Sequence, residues 1–246
     1  MTDTTTAPPG IGSPVPLGLV QRIVGVIFSP AETYRSIVAH PRVLGALAVV
    51  AVTVGLASFV FLSTEVGQNA MLDQQVRMAE SFGFELPDEA YEQIESQAGR
   101  SKYFSLAGVL VTVPIGCAVV AGLILLIFNV ALGGDGTFKQ AFAVAAHSQI
   151  LVALQQVFVA PLNYTRESMS SATNLGIFLP MLDETGFLAR LLGAIDLVWI
   201  WWILNLAIGL AVMYKQRTAP IAWSLLAVYL ILAVIFAAVR VAIAGA

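Results

Sequence analysis

The sequence predicts an all-α, polytopic membrane protein. It is a five-helix transmembrane bundle, with short interfacial helices ahead of it and a helical extramembrane hairpin after the first span. Three observations carry this. Of the 246 residues, 58% are hydrophobic and 11% charged, against about 45–50% and about 25% in soluble domains. The mean hydropathy is +0.85. The apolar residues collect in five runs, near the length of about 20 residues that a membrane-crossing helix needs. A soluble fold of this length has too much surface to cover with so few charges. The same composition excludes a disordered chain, a collagen and a disulfide-built module.

The elements follow in order. Residues 1–18 are small, polar and rich in Pro and Gly, and are expected to be a flexible tail. No basic stretch followed by an apolar one begins the chain, which argues against a cleaved signal peptide and makes the first span an uncleaved anchor. Residues 19–42 are expected to form two interfacial helices. The first, LVQRIVGVIF, is too short to span. The second begins at Ser29-Pro30-Ala31-Glu32, which reads as a capping box with proline at the first helical position, and ends before Pro41. Ile23, Val24, Ile27, Phe28 and Ile37 are expected in the cytoplasmic leaflet, with Arg22 and Arg35 near the headgroups.

The membrane domain, 43–246, holds the five spans: 43–63, 105–132, 141–164, about 191–213, and 220–239. The third is the most polar, with His147, Gln149, Gln155 and Gln156 each costing insertion energy. Pro114 is expected to kink the second. Between the first two spans lies an acidic segment, 64–104, which Gly83 and Leu86-Pro87 divide into helical stretches at about 65–82 and 88–98. It reads as a hairpin capping the bundle. Lysines and arginines divide six against six between the two sides. Arg35 and Arg42 directly before the first span, and the basic turn at Lys215 and Arg217, favour a cytoplasmic N-terminus. The hairpin then faces outward.

Functional signals are sparse. A net charge of −3 offers no field for nucleic acid. One cysteine, Cys117, and two histidines, His40 and His147, build no zinc or iron–sulfur site. Neither H-E-x-x-H nor a P-loop occurs, and Leu132-Gly133-Gly134-Asp135 misses the G-x-G-D of intramembrane aspartyl proteases at its first position. No catalytic residue, cofactor or metal is expected. What stands out is a polar stripe in the third span. Gln149, Gln156 and Asn163 recur every seven residues and fall within about 40° of one another on a helix, with Ser148 and Gln155 beside them. Such a stripe faces protein or water. Interhelical hydrogen bonding is the plainer reading and a lined substrate cavity the sharper one. Asp196 reads as a helix-start carboxylate with a proton relay as the alternative, and Asn129 and Asn205 read as helix–helix glue.

Three stretches carry a family resemblance. They are Phe28-Ser29-Pro30-Ala31-Glu32-Thr33-Tyr34 with His40-Pro41; Gly133-Gly134-Asp135-Gly136-Thr137-Phe138-Lys139-Gln140-Ala141-Phe142; and Asp196-Leu197-Val198-Trp199 continuing through Ile208-Gly209-Leu210-Ala211-Val212. In this order, over roughly 20–235, the chain resembles the bacterial branch of the Yip-one (Ypt-interacting protein) family. The positions that match are Pro30, Glu32, Pro41, Gly134, Phe138, Asp196, Trp199 and Gly209. The resemblance implies five membrane helices and a cytosolic N-terminus. Eukaryotic members work in vesicle traffic with Rab-type GTPases. This chain departs from them in its short tail and long acidic hairpin, so Rab binding is not carried over. For bacterial members it implies no known reaction. The function expected is that of a non-enzymatic integral membrane protein of the cell (inner) membrane, membrane-organising or an adaptor. Its expected partners are the lipid bilayer and other membrane proteins or a second copy of itself. The alternative is a small transporter or channel component using the polar stripe.

Overall fold

A computed structural model describes residues 15–81, 83–84, 87–182 and 186–244. The predicted tail therefore lies largely outside the described residues, as do Glu85 and Leu86 of the hairpin turn. Among the described residues there are ten α-helices, a π-helical turn and a short 3₁₀ turn, with no strand. Five helices are long and apolar enough to cross a membrane, as the sequence predicts: Leu44–Leu62, Asp88–Ala131, Phe138–Arg166, Leu197–Tyr214 and Thr218–Ile243.

The third and fourth of these are the centre of the bundle, with 56% and 50% of their most apolar windows buried. The first, second and fifth lie at the periphery, with only 28%, 17% and 11% buried. A peripheral span can be apolar all round because lipid is its solvent, and here these three carry the highest hydropathy. The central position of the third explains how it carries its polar side chains: protein, not lipid, surrounds most of them.

The first two helices, α1 (Leu19–Phe28) and α2 (Pro30–Ala39), form a tight pair. The pair packs into the bundle, not merely against the bilayer surface. α2 lies against α9 (Leu197–Tyr214) and α6 (Phe138–Ser148). Tyr34, Ile37 and Val26 are fully buried there. This corrects the expectation for Ile37, which meets protein, not lipid. It also corrects Arg22, which is 4% exposed: its guanidinium donates to the carbonyls of Leu17 (2.9 Å) and Arg42 (3.3 Å). The outward stripe of α1 is Val20, Val24 and Phe28, one residue every four, while Ile23 and Ile27 are partly packed against the core. The outward face of α2 instead carries Glu32 and Arg35. Proline occupies the start of α2 as expected, but the Ser29–Glu32 capping box does not form, since Ser29 makes no side-chain cap bond. Its carbonyl is taken instead by the Thr33 hydroxyl at 2.9 Å. Nor are residues 15–17 a loose end: Ser36 Oγ donates to Val15 O and accepts from Leu17 N.

After α3 (Leu44–Leu62), α4 (Glu65–Ser81) folds back, and Ala70 packs on Phe61 and Leu62. The second arm of the hairpin is no separate helix. It continues into the second span as α5, Asp88–Leu125, a single helix of 38 residues with Pro114 inside it. The irregular part comes later, as the π-helical turn Leu126–Ala131. The third span is divided at Gln149 into α6 and α7 (Ile150–Arg166). A connecting segment with the 3₁₀ turn Leu175–Phe178 and α8 (Phe187–Ala194) leads to α9, and α10 (Thr218–Ala244) closes the fold against α8 and α9.

Candidate functional site

Polar groups inside the bundle gather in three places. The first ties α1 and α2 to α9. Asn205, 2% exposed, accepts from the Tyr34 hydroxyl at 2.5 Å and donates to Val26 O at 2.7 Å. One amide thus joins the side chain of one helix and the backbone of another, satisfying both in an apolar interior. Gly209, one turn further along α9, supplies the space. A Cβ there would sit against Val144 and 3.2 Å from the Tyr34 ring. Burial, and then the nearby Arg42, lower the pKa of Arg22 from its ordinary value.

The second place is the turn before α6. Asn129 donates to Gly136 O at 2.6 Å and accepts from Tyr214 Oη at 2.8 Å. Tyr214 stacks on Phe128 with centroids 4.7 Å apart. Gly134 lies under that tyrosine, where a Cβ would come within 2.8 Å of its ring. Thr137 and Gln140 then form a capping box that starts α6, and Gln140 reaches across to Val38 O of α2 at 3.3 Å. Phe138 stays half exposed and stacks on Phe142.

The third place is a polar cavity of about 440 Å³ at the end of the bundle where α4 and α5 approach α7 and the start of α9. Its densest feature is Asp196, which is 6% exposed. This carboxylate caps α9: Oδ1 accepts from Val198 N at 2.8 Å and Trp199 N at 3.3 Å. Oδ2 accepts from Thr173 Oγ1 at 2.6 Å and, in a shorter contact, from Ser171 Oγ. Gln155 donates to Thr173 Oγ1 at 2.7 Å and lies 3.4 Å from Oδ2. Tyr229 of α10 accepts from Asp196 N at 2.9 Å and donates to Ala194 O at 3.0 Å. Asp196 is therefore a helix-start carboxylate, buried and fully hydrogen-bonded. Among the described residues no Lys, Arg or His lines the cavity.

A model of the Yip1 domain matches residues 24–239. The chain belongs to the Yip1 domain family. No curated protein and no solved structure matches it.

Within this Yip1 domain the positions singled out by the resemblance fall into two groups. Gly134, Asp196 and Gly209 hold the three polar assemblies together. Pro30 starts α2, and Pro41 follows its end at Ala39. Trp199 packs edge-on to Trp202 at 5.3 Å and is 44% exposed at the cavity mouth. Phe138 stands at the start of α6, and Glu32 is exposed on α2, joined to none of the assemblies. The polar stripe is split. Gln155, Gln156 and Asn163 line the cavity, whereas Ser148 is buried and donates to Ala145 O of its own helix. Gln149 sits at the α6–α7 junction, outside the cavity lining. Of the stripe's five members, only Gln155 has a described side-chain bond outside its own helix, to Thr173 and Asp196, so the expectation of a hydrogen-bonded stripe joining elements holds for one member. The Asn163 Oδ1 is buried with no protein partner. Ser171, Thr173 and Tyr229 were not legible as site residues. They lie in a connecting loop and a lipid-facing helix, and only the fold brings them to Asp196.

Proposed function

We propose that this Yip1-domain protein is a non-enzymatic component of the cell (inner) membrane that organises the bilayer or serves as an adaptor. Its working surface is the α1–α2 pair on the cytoplasmic side. The supporting observation is the two-sidedness of that pair. Tyr34 and Val26 anchor it to Asn205, while Val20, Val24 and Phe28 stay 71%, 48% and 78% exposed on one side, and Glu32 and Arg35 point outward on the other. An apolar stripe beside a charged face suits the boundary between acyl chains and headgroups. The partners are then the bilayer itself and a membrane protein or second copy meeting the charged face. Spin labels at Val24 and Glu32 in reconstituted protein test this: Val24 reports acyl-chain depth and Glu32 reports water. Two fully solvated labels would leave a cytosolic docking arm and overturn the membrane-organising role.

The transporter reading is favoured by the polar cavity. Against it, the third span beyond the cavity is packed shut: Ala143, Val144, Ala145 and Ala146 of α6 are all 0% exposed. Solute flux into proteoliposomes that disappears in Gln156→Leu would restore it.

A further inference from the structure

Two arginines meet at the end of the bundle that carries the hairpin. Arg190 stands on α8 and Arg240 near the end of α10, and Arg190 Nη1 donates to the backbone carbonyl of Arg240 in a short contact. The two positive charges repel one another. Among the described residues no carboxylate bonds to either guanidinium. The α4–α5 turn comes close, with Gly83 against Ile243 at the tip of α10, yet none of the described hairpin acids reaches the pair. Asp183 and Glu184, ahead of α8, lie outside the described residues. Both arginine side chains are half-buried, so each keeps an open edge. Arg240 lies over the Phe236 ring, 5.7 Å from its centroid, and its Nε is buried without an acceptor. Its two Nη atoms are the ones left to bond outward.

Their depth says what they meet. From Thr218 to Arg240, α10 rises about 33 Å, slightly more than the roughly 30 Å of the hydrocarbon core. No charged residue lies between those two positions. With the Lys215–Arg217 turn at one boundary, Arg240 reaches the other, at the level of the lipid phosphates. Phe187 and Leu188 of α8 and Ile235, Phe236 and Val239 of α10 are exposed beside the arginines, an apolar surface for acyl chains to cover. Two like charges at the edge of a low-dielectric medium destabilise each other, and an anion between them removes that cost. Guanidinium forks bond phosphate oxygens in parallel pairs. A phosphodiester that carries an ammonium brings a third cation to the site, whereas one that carries a neutral glycerol brings none.

We propose that Arg190 and Arg240 together bind the phosphate of an anionic phospholipid whose acyl chains lie along the exposed face of α10. The site is at the opposite end of the bundle from the α1–α2 pair, so its fate does not decide the role given to that pair.

The test is native mass spectrometry of the full chain in detergent, titrated with phosphatidylglycerol or phosphatidylethanolamine of identical acyl chains. Phosphatidylglycerol adducts are expected to exceed phosphatidylethanolamine adducts by about fivefold at equal concentration. Arg190→Gln and Arg240→Gln should each bring the two lipids to parity. They stand on different helices, so misfolding of one leaves the other to decide. Arg166→Gln removes an exposed charge at the end of α7, bonded only to Ser170 among the described residues, and should leave the fivefold preference intact. Equal retention of the two lipids by the unaltered chain overturns the proposal, because the arginines are then neutralised from within the protein. A loss of preference in Arg166→Gln equal to that in Arg190→Gln or Arg240→Gln also overturns it, since the effect is then general surface charge. So does displacement of phosphatidylglycerol by inorganic phosphate at the same concentration, because the acyl chains then contribute nothing.

Discussion

A lone amide inside an apolar helix needs a partner, and that rule made Asn129 and Asn205 readable as points where helices are joined. The partners themselves were out of reach. Tyr34 is 171 positions from Asn205 in sequence, and no periodicity relates them. The energetic weight of the pair can be measured. Asn205→Leu leaves the Tyr34 hydroxyl and Val26 O without a bond, and a buried group left unsatisfied costs about 1–3 kcal/mol. Tyr34→Phe removes the donor alone and should cost about 1 kcal/mol. The double variant should then be less destabilised than the two single effects added, in denaturant titrations of the detergent-solubilised protein. Strict additivity would mean that the two side chains are not coupled. Gly209→Ala acts at the same contact by overpacking. Its methyl would press Val144 and the Tyr34 ring, at an expected cost of about 1–3 kcal/mol.

At the scale of elements, the five spans were legible because each run of apolar residues reports the thickness of the bilayer. What the runs do not report is continuity. Residues 88–104 are polar, so they read as a separate arm, yet no proline and a single glycine, Gly99, stand between Asp88 and the span, and the helix runs through. The Ser29 cap failed because the pattern assumes a free helix start, whereas Ser29 also closes α1 and sits at φ −143°, ψ 56°, away from the extended backbone of a capping residue. The stripe in the third span shows the same limit. Seven-residue spacing assumes an unbroken helix, and the junction at Gln149 separates its two ends. Since among the described residues neither Gln149 nor Gln156 bonds to another helix, replacing both with Leu should leave stability within about 0.5 kcal/mol of the unaltered chain, or raise it. A loss of about 1–2 kcal/mol in unfolding titrations would show that these amides hold helices together after all.

At the scale of the whole molecule, the remaining question is which end faces which compartment. The polar assemblies sort themselves between the two ends. Arg22, Arg42, Lys139, Lys215 and Arg217 lie at the end formed by the α1–α2 pair, the turn before α6 and the turn before α10. The acidic hairpin, the Asp196 cavity and the loop after α7 lie at the other. Basic residues beside short loops favour the cytoplasm, and on that ground we propose that the first end faces inside and the hairpin outside. Gly99 provides the probe. It is exposed on the outward extension of α5, and a side chain there would meet nothing within 4 Å. In a chain whose buried Cys117 is replaced by Ala, Gly99→Cys should react with a membrane-impermeant thiol reagent added to intact cells. A cysteine at Arg217 should react only after lysis. The opposite pattern at both positions would invert the molecule, placing the charged face of α2 outside and taking from the α1–α2 pair its role at the cytoplasmic leaflet.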